Sequence, residues 1–158
     1  MGPVDDEPPR QRFTKVISFF VPGRPVPKQS ARFGRGKSWQ PKKKVAYKRL
    51  IETISRNAWL AAGKPDVPPP YCVRLEFVFA WPKATRKSLR STVAWRVGRP
   101  DLDNLTKMVL DGIHAKIISD DATVTKLILF KKTGPSDQEG VTVTITGMEP
   151  DETDDKRL

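Results

Sequence analysis

Two pairs of aspartates in this sequence could hold a divalent metal ion. Asp101 and Asp103 stand at the start of a predicted helix, and Asp120–Asp121 follow it after a short, largely apolar link. Carboxylates grouped from separate segments repel one another unless a cation lies between them, and Mg²⁺ is bound by carboxylates together with water and substrate phosphate. Such an ion polarises a phosphoryl oxygen and generates a hydroxide nucleophile. The four aspartates therefore predict a metal site for phosphodiester hydrolysis.

Lys107 lies one helical turn after Asp103 and could neutralise charge that develops on a scissile phosphate. Simpler interpretations exist for each residue. Asp101 could be a helix N-cap, and Asp103 and Lys107 could form a solvated ion pair worth about 0.2–0.5 kcal/mol. Asp111 lies one further turn along the same face of the predicted helix and could pair with Lys107. The second acidic pair and the neighbouring Arg99 favour the metal site over these alternatives.

The body of the chain is strongly basic, which predicts a polyanionic partner. The chain carries a net charge of +11, and residues 13–146 hold 25 Lys and Arg against 10 Asp and Glu. Two stretches, residues 24–49 and 83–99, have no acidic residue. Their Lys and Arg side chains are expected to contact DNA phosphates, and such binding weakens strongly as the salt concentration rises. The predicted DNA-binding residues are Arg24, Lys28, Arg32, Arg35, Lys37, Lys42, Lys43, Lys44, Arg86, Lys87, Arg90, Arg96 and Arg99. Phe33, Trp39 or Trp95 could stack on opened bases, although each could equally anchor a loop.

The pattern of apolar residues predicts one α+β domain, with two main helices packed on a mixed or antiparallel sheet in the order β-α-β-α-β-β. The domain is expected over residues 13–146, between polar, disordered tails at 1–12 and 147–158. The predicted strands are 16–21, 73–79, 124–131 and 141–146, and the predicted helices are 45–61 and 101–115. Residues 22–44 and 83–99 are predicted to be basic loops.

Three motifs together resemble the RusA family of Holliday junction resolvases. They are Asp-Leu-Asp-Asn-Leu-x-Lys at 101–107, the Asp-Asp at 120–121, and Gly-Arg-Pro-x-Pro-Lys at 23–28. The resemblance covers about residues 13–146 and implies a RusA-like fold. It also implies that Asp101, Asp103, Asp121 and Lys107 are essential, with Asp120 as an auxiliary metal ligand.

The same resemblance implies a cofactor and partners. It predicts a homodimer that depends on Mg²⁺, for which Mn²⁺ can substitute, and that nicks two strands of a four-way DNA junction during recombination and repair. No small-molecule cofactor and no membrane partner are expected. Two alternatives stay open: a non-catalytic basic DNA-binding module, and a nuclease directed at RNA.

The sequence also argues against several other classes. Cys72 is the only cysteine, so no intramolecular disulfide or thiolate zinc cluster can form, which fits a cytoplasmic setting. His114 is the only histidine, so a Ser-His-Asp triad could form only if His114 served in it. Gly34–Gly36 lacks the spacing of a phosphate-binding P-loop, so the sequence does not support nucleotide hydrolysis. No apolar run approaches the ~20 residues that a membrane-spanning helix needs.

Overall fold

The sheet and helices follow the predicted order, with three short strands added. The computed structural model describes residues 16–28, 32–34, 36–39 and 41–148. The tail at 1–12, Arg35 and nearly all of the tail at 147–158 lie outside the described residues. The elements are β1 (Val16–Pro22), β2 (Arg32–Gly34), β3 (Lys37–Trp39), α1 (Lys42–Ala61), β4 (Tyr71–Ala80), β5 (Ala94–Trp95), α2 (Leu102–Gly112), β6 (Val124–Gly134) and β7 (Gly140–Gly147).

Five strands form one mixed sheet in the order β1-β7-β4-β6-β5. β7 pairs antiparallel with both β1 and β4, whereas β4 and β6 are parallel. A parallel pair needs a long crossover connection, and the segment between β4 and β6 contains α2. The predicted α+β architecture with a mixed sheet is confirmed, and α2 is the helix of this crossover.

Both helices pack on one face of the sheet and enclose the core. Alternate residues of the central strand, Val73, Leu75, Phe77 and Phe79, are completely buried, as period-2 alternation requires. α1 adds Ile51, and α2 adds residues spaced by a helical turn, among them Leu105 and Val109. Burial of each large side chain contributes about 1.5–3 kcal/mol. This core fixes the position of α2 against the sheet.

α2 ends at Gly112, three residues before the predicted end at Ala115. The two helices approach closely there, because a Cβ added to Gly112 would lie 2.8 Å from Ile51. The next residues leave the helix, and the backbone N–H of His114 donates to Ser55 Oγ at 3.0 Å. Packing between the helices, which periodicity does not reveal, therefore sets the end of α2.

Three short strands were not predicted. β2 and β3 form an antiparallel hairpin within the segment expected to be a loop, and β5 adds two residues to the sheet edge. Strands of two or three residues leave too little alternation to detect in a sequence. In the part of the chain described, no helix is long and apolar enough to cross a membrane.

Candidate active site

The carboxylate of Asp101 lies at the N-terminus of α2 without acting as a helix cap. Asp101 occupies the N-cap position with φ −71° and ψ 140°, but its side chain accepts no capping hydrogen bond. Its backbone carbonyl still receives the first helical bond, from Leu105 N at 3.2 Å. Asp103 follows in the first turn, where the helix dipole favours a negative charge. The geometry leaves both carboxylate oxygens of Asp101 available to a ligand.

Lys107 and Asp103 lie on the solvent side of α2. Lys107 Nζ is 3.8 Å from Asp103 Oδ2, and both side chains are mostly exposed. Asp111, one turn further on, pairs with Lys28, whose ammonium lies 2.5 Å from Asp111 Oδ2. Asp111 therefore does not share Lys107 with Asp103, and the ammonium of Lys107 stays beside the first turn of α2.

The segment with the sequence Gly-Arg-Pro-x-Pro-Lys, residues 23–28, is attached to α2 at two points. The backbone N–H of Lys28 donates to Asn104 O at 2.9 Å, in addition to the ion pair with Asp111. Val26 is buried in the core between these contacts and β1. The motif is therefore a structural neighbour of the aspartates, although about 75 residues separate them in the sequence.

Three arginines surround the start of α2. The guanidinium groups of Arg24 and Arg96 lie 5.2 and 4.4 Å from the ring centroid of Phe79. Arg24 and Arg99 line an open pocket together with Asp101, Pro27, Pro100 and Asn104. Burial, and then the charge of Arg24, lowers the pKa of Arg96. Crowded arginines of this kind gain stability when an anion such as a phosphate lies between them.

Lys131 fastens the loop that leads into Asp101. Its Nζ donates to Gly98 O at 2.5 Å and to Pro100 O at 2.7 Å. Arg96 supports the same loop, because its guanidinium donates to Arg99 O at 3.0 Å. Neither role was predicted. The available signal for Lys131 was its position in β6 next to buried Phe77, on the side of the sheet that the helices cover.

The second acidic pair lies at the other end of β6. Asp120 Oδ1 accepts a hydrogen bond from Ala122 N at 2.9 Å, and Asp121 begins a short 3₁₀ turn that leads directly into Val124. Asp101 directly follows Pro100, whose carbonyl accepts a hydrogen bond from Lys131 Nζ, so the first acidic pair lies near Lys131. Val124, next to the second pair, is seven residues before Lys131 on the same strand, a distance of about 23 Å at about 3.3 Å per residue. The structure therefore brings Asp101 together with Asp103, and Asp120 with Asp121, but separates the two pairs along the strand.

In agreement, among the described residues no group of three or more His, Cys, Asp or Glu side chains is close enough to hold a metal ion. Each aspartate pair alone is still suited to bind a hard cation, because Mg²⁺ typically takes one or two protein carboxylates and completes its octahedral coordination with water and substrate oxygens. The assignment of all four aspartates to one metal site stays a prediction.

The other predicted DNA-binding cations lie on two further segments. Lys42, Lys43 and Lys44 form the first turn of α1, and Arg86, Lys87 and Arg90 lie in the turns between β4 and β5, where Arg90 Nε donates to Thr85 O at 2.7 Å. Of Arg32 and Lys37 only the backbone is described, in the β2–β3 hairpin. Their contact with DNA stays a prediction.

The family to which this arrangement belongs follows from a comparison with protein-family models. The model described as endodeoxyribonuclease RusA matches residues 22–146, most of the chain. The chain belongs to the RusA endodeoxyribonuclease family. No curated protein matches it in a sequence search. The RusA match spans Arg24, both aspartate pairs and Lys131, so every residue of the site lies within it, and the predicted family membership is confirmed.

Proposed function

We propose that this RusA-family chain is a Mg²⁺-dependent endonuclease that resolves four-way DNA junctions by paired cuts in opposing strands. The observation that carries the proposal is the start of α2, where exposed Asp101 lines one pocket with Arg24 and Arg99, and exposed Asp103 follows in the first helical turn. Acids that can bind a cation lie beside cations that can bind phosphate. This combination suits phosphodiester cleavage, because the metal and the DNA backbone must meet at one point.

Asp101 and Asp103, with Asp121 and Asp120, are the proposed ligands of Mg²⁺, and Mn²⁺ is expected to substitute for it. When bound, the ion supplies Lewis-acid polarisation of the scissile phosphate and a water of lowered pKa. Lys107, held 3.8 Å from Asp103, is proposed to stabilise the charge that develops on the phosphate. The phosphates on either side of the scissile one would be bound by Arg24, Arg96 and Arg99.

We infer that two copies of the chain complete each metal site. Within one chain the two acidic pairs lie toward opposite ends of β6, and this separation supports a site shared between subunits. A homodimer with two-fold symmetry would then present two equivalent sites. Two symmetric cuts match the symmetry of a four-way junction, so the proposed quaternary structure and the proposed substrate agree.

The test is cleavage of a synthetic four-way junction labelled in opposing strands. We expect wild-type protein to cut both strands with Mg²⁺ or Mn²⁺ and not with EDTA, and Asp103→Asn to bind the junction without cutting it. Asp137→Asn is the matched control, because Asp137 is an exposed acid in the turn before β7 and lies beside Trp81 and Lys87 rather than at the start of α2. Cleavage by Asp103→Asn at the wild-type rate would disprove the catalytic proposal.

The same assay separates the alternatives. A non-catalytic DNA-binding module would bind the junction in a salt-sensitive way and would not cut it with any metal. A nuclease directed at RNA would cut a junction of matched RNA sequence in preference to DNA.

A further inference from the structure

In the part of the chain described, one face of the sheet is not covered by a helix. Both helices pack on the face that carries the completely buried residues of β4. Arg74 and Glu76 alternate with those residues, so they point to the other face, and both are partly exposed. The strand register places Phe130 opposite Glu76 on this face. Lys132, two residues further along β6, shares the face with Trp95, which it pairs with on β5.

Trp95 and Phe130 form an aromatic pair on this helix-free face. Their ring centroids are 6.2 Å apart, and their planes differ by 18°. The guanidinium of Arg74 lies 4.8 Å from the Phe130 centroid, and the ammonium of Lys132 lies 5.4 Å from both centroids. Because Phe130 is already contacted by both cations and by the indole, the aromatic surface that is open to a ligand is that of Trp95. Its ring is held in place before any ligand binds, which lowers the entropic cost of binding.

The exposure of Trp95 argues that it binds a ligand rather than anchoring its own loop. Tryptophan side chains are highly buried on average, whereas 70% of the Trp95 surface is accessible to solvent. Val93 and Val97, two residues before and after it, are 51% and 98% exposed. A series of large apolar side chains kept in water along one sheet edge marks an interaction site.

The charges around the aromatic pair favour an anionic ligand with flat rings. Glu76 is shared between Arg74, at 3.3 Å, and Lys132, at 3.0 Å, so this group keeps one positive charge in excess. A phosphate backbone complements that charge, and a nucleobase complements the exposed indole, because every base has a π-face that can stack on an aromatic side chain. Bases in a duplex are already stacked on one another, so the ligand that fits is an unpaired strand.

We propose that the helix-free face of the sheet binds a single nucleic-acid strand, with an unpaired base stacked on Trp95 and backbone phosphates beside Arg74 and Lys132. This site is distinct from the start of α2. Arg96, the next residue after Trp95, points to the helix-covered face, where its guanidinium lies 4.4 Å from the ring centroid of buried Phe79. The proposal therefore depends neither on metal binding nor on cleavage.

The test is the fluorescence anisotropy of labelled strands titrated with the full chain in EDTA, so that no strand is cut. Oligothymidylate is compared with an abasic strand of the same length, which has the same backbone charge but no bases. Wild type should bind oligothymidylate about tenfold more tightly than the abasic strand, and Trp95→Ala should lose this preference. Trp95→Phe should keep most of it. Leu60→Ala is the control, since Leu60 is also exposed, at 45%, but lies on α1.

Folding of every variant is checked by circular dichroism, and oligouridylate in place of oligothymidylate shows whether the strand is RNA or DNA. Equal affinity of wild type for the two DNA strands, or an unchanged preference in Trp95→Ala, would overturn the stacking site. Sedimentation gives a further check: if Trp95→Ala converts a wild-type dimer into single chains, a second copy covers this face and the proposal is also overturned. Because binding is measured without metal, a protein that binds the strand but cuts no junction would refute the proposed function alone.

Discussion

Replacement of Lys131 by methionine should slow DNA cleavage far more than it weakens DNA binding. Methionine keeps most of the apolar stem of lysine but removes both hydrogen bonds, to Gly98 O and Pro100 O. Hydrogen bonds from a charged donor are worth about 1.5–3 kcal/mol each. The bond to Gly98 O is exposed to solvent and contributes little, so we expect the loss of the partly buried bond to Pro100 O to dominate, at about 1.5 kcal/mol in the free energy of unfolding.

The larger effect is expected on the position of Asp101, which directly follows the loop that Lys131 holds. A displacement of a reacting group by about 1 Å can reduce a rate by about 100-fold. Single-turnover cleavage of a four-way junction at saturating protein should therefore fall by about that factor, and half-maximal cleavage should need more Mg²⁺. Lys131 acts here as a positioning residue, so its loss should leave the junction dissociation constant within a few-fold of wild type.

Lys126→Met is the matched control. It removes the same charge from the same strand, but Lys126 is exposed and lies on the opposite face of the sheet from Lys131. Equal cleavage rates and equal Mg²⁺ requirements for the two variants would show that the hydrogen bonds of Lys131 do not position Asp101.

Three further predictions concern stability and DNA affinity. Ser55→Ala should lower the free energy of unfolding by about 1–3 kcal/mol in urea titrations, because it leaves the His114 N–H without its acceptor; an unchanged midpoint would contradict this. The hydrogen bond from Lys132 lowers the pKa of Glu76 from its ordinary 4.5. Its contribution to stability is therefore full above that value and lost as the pH falls through the lowered pKa, so Glu76→Gln should be less stable than wild type at pH 7, and the difference should shrink as the pH falls below 4.5; a gap independent of pH would refute the assignment. Arg24→Gln should reduce the slope of log affinity for junction DNA against log salt by about one unit, and an unchanged slope would show that Arg24 binds no phosphate.

Much of the fold follows from apolar periodicity in the sequence. The alternation through Val73, Leu75 and Phe77 predicted β4, and the helical spacing that includes Ile51 predicted α1; both are present. The β2–β3 hairpin and β5 were missed because each strand is too short for its pattern to stand out. The end of α2 was misplaced because close packing against Ile51 decides it.

The candidate site was only partly predictable for a similar reason. Sequence motifs selected Asp101, Asp103 and the segment at 23–28, and the structure brings these together through the contacts of Lys28. The role of Lys131 depends on which face of β6 it occupies, and the distance to Asp121 depends on the direction in which α2 returns along the strand. Both are properties of tertiary packing, which local spacing does not encode.

The most direct test of a metal site shared between subunits is to mix two inactive variants. Asp103→Asn and Asp121→Asn should each fail to cut a four-way junction as homodimers. After subunit exchange about half of the dimers are mixed, and each mixed dimer carries one site with both aspartates intact and one site with neither. We predict that the mixture regains Mg²⁺-dependent nicking of a single strand, at about a quarter of the wild-type number of sites. If the mixture exchanges subunits but remains inactive, the two acidic pairs do not act across a dimer, and a metal site shared between subunits is contradicted.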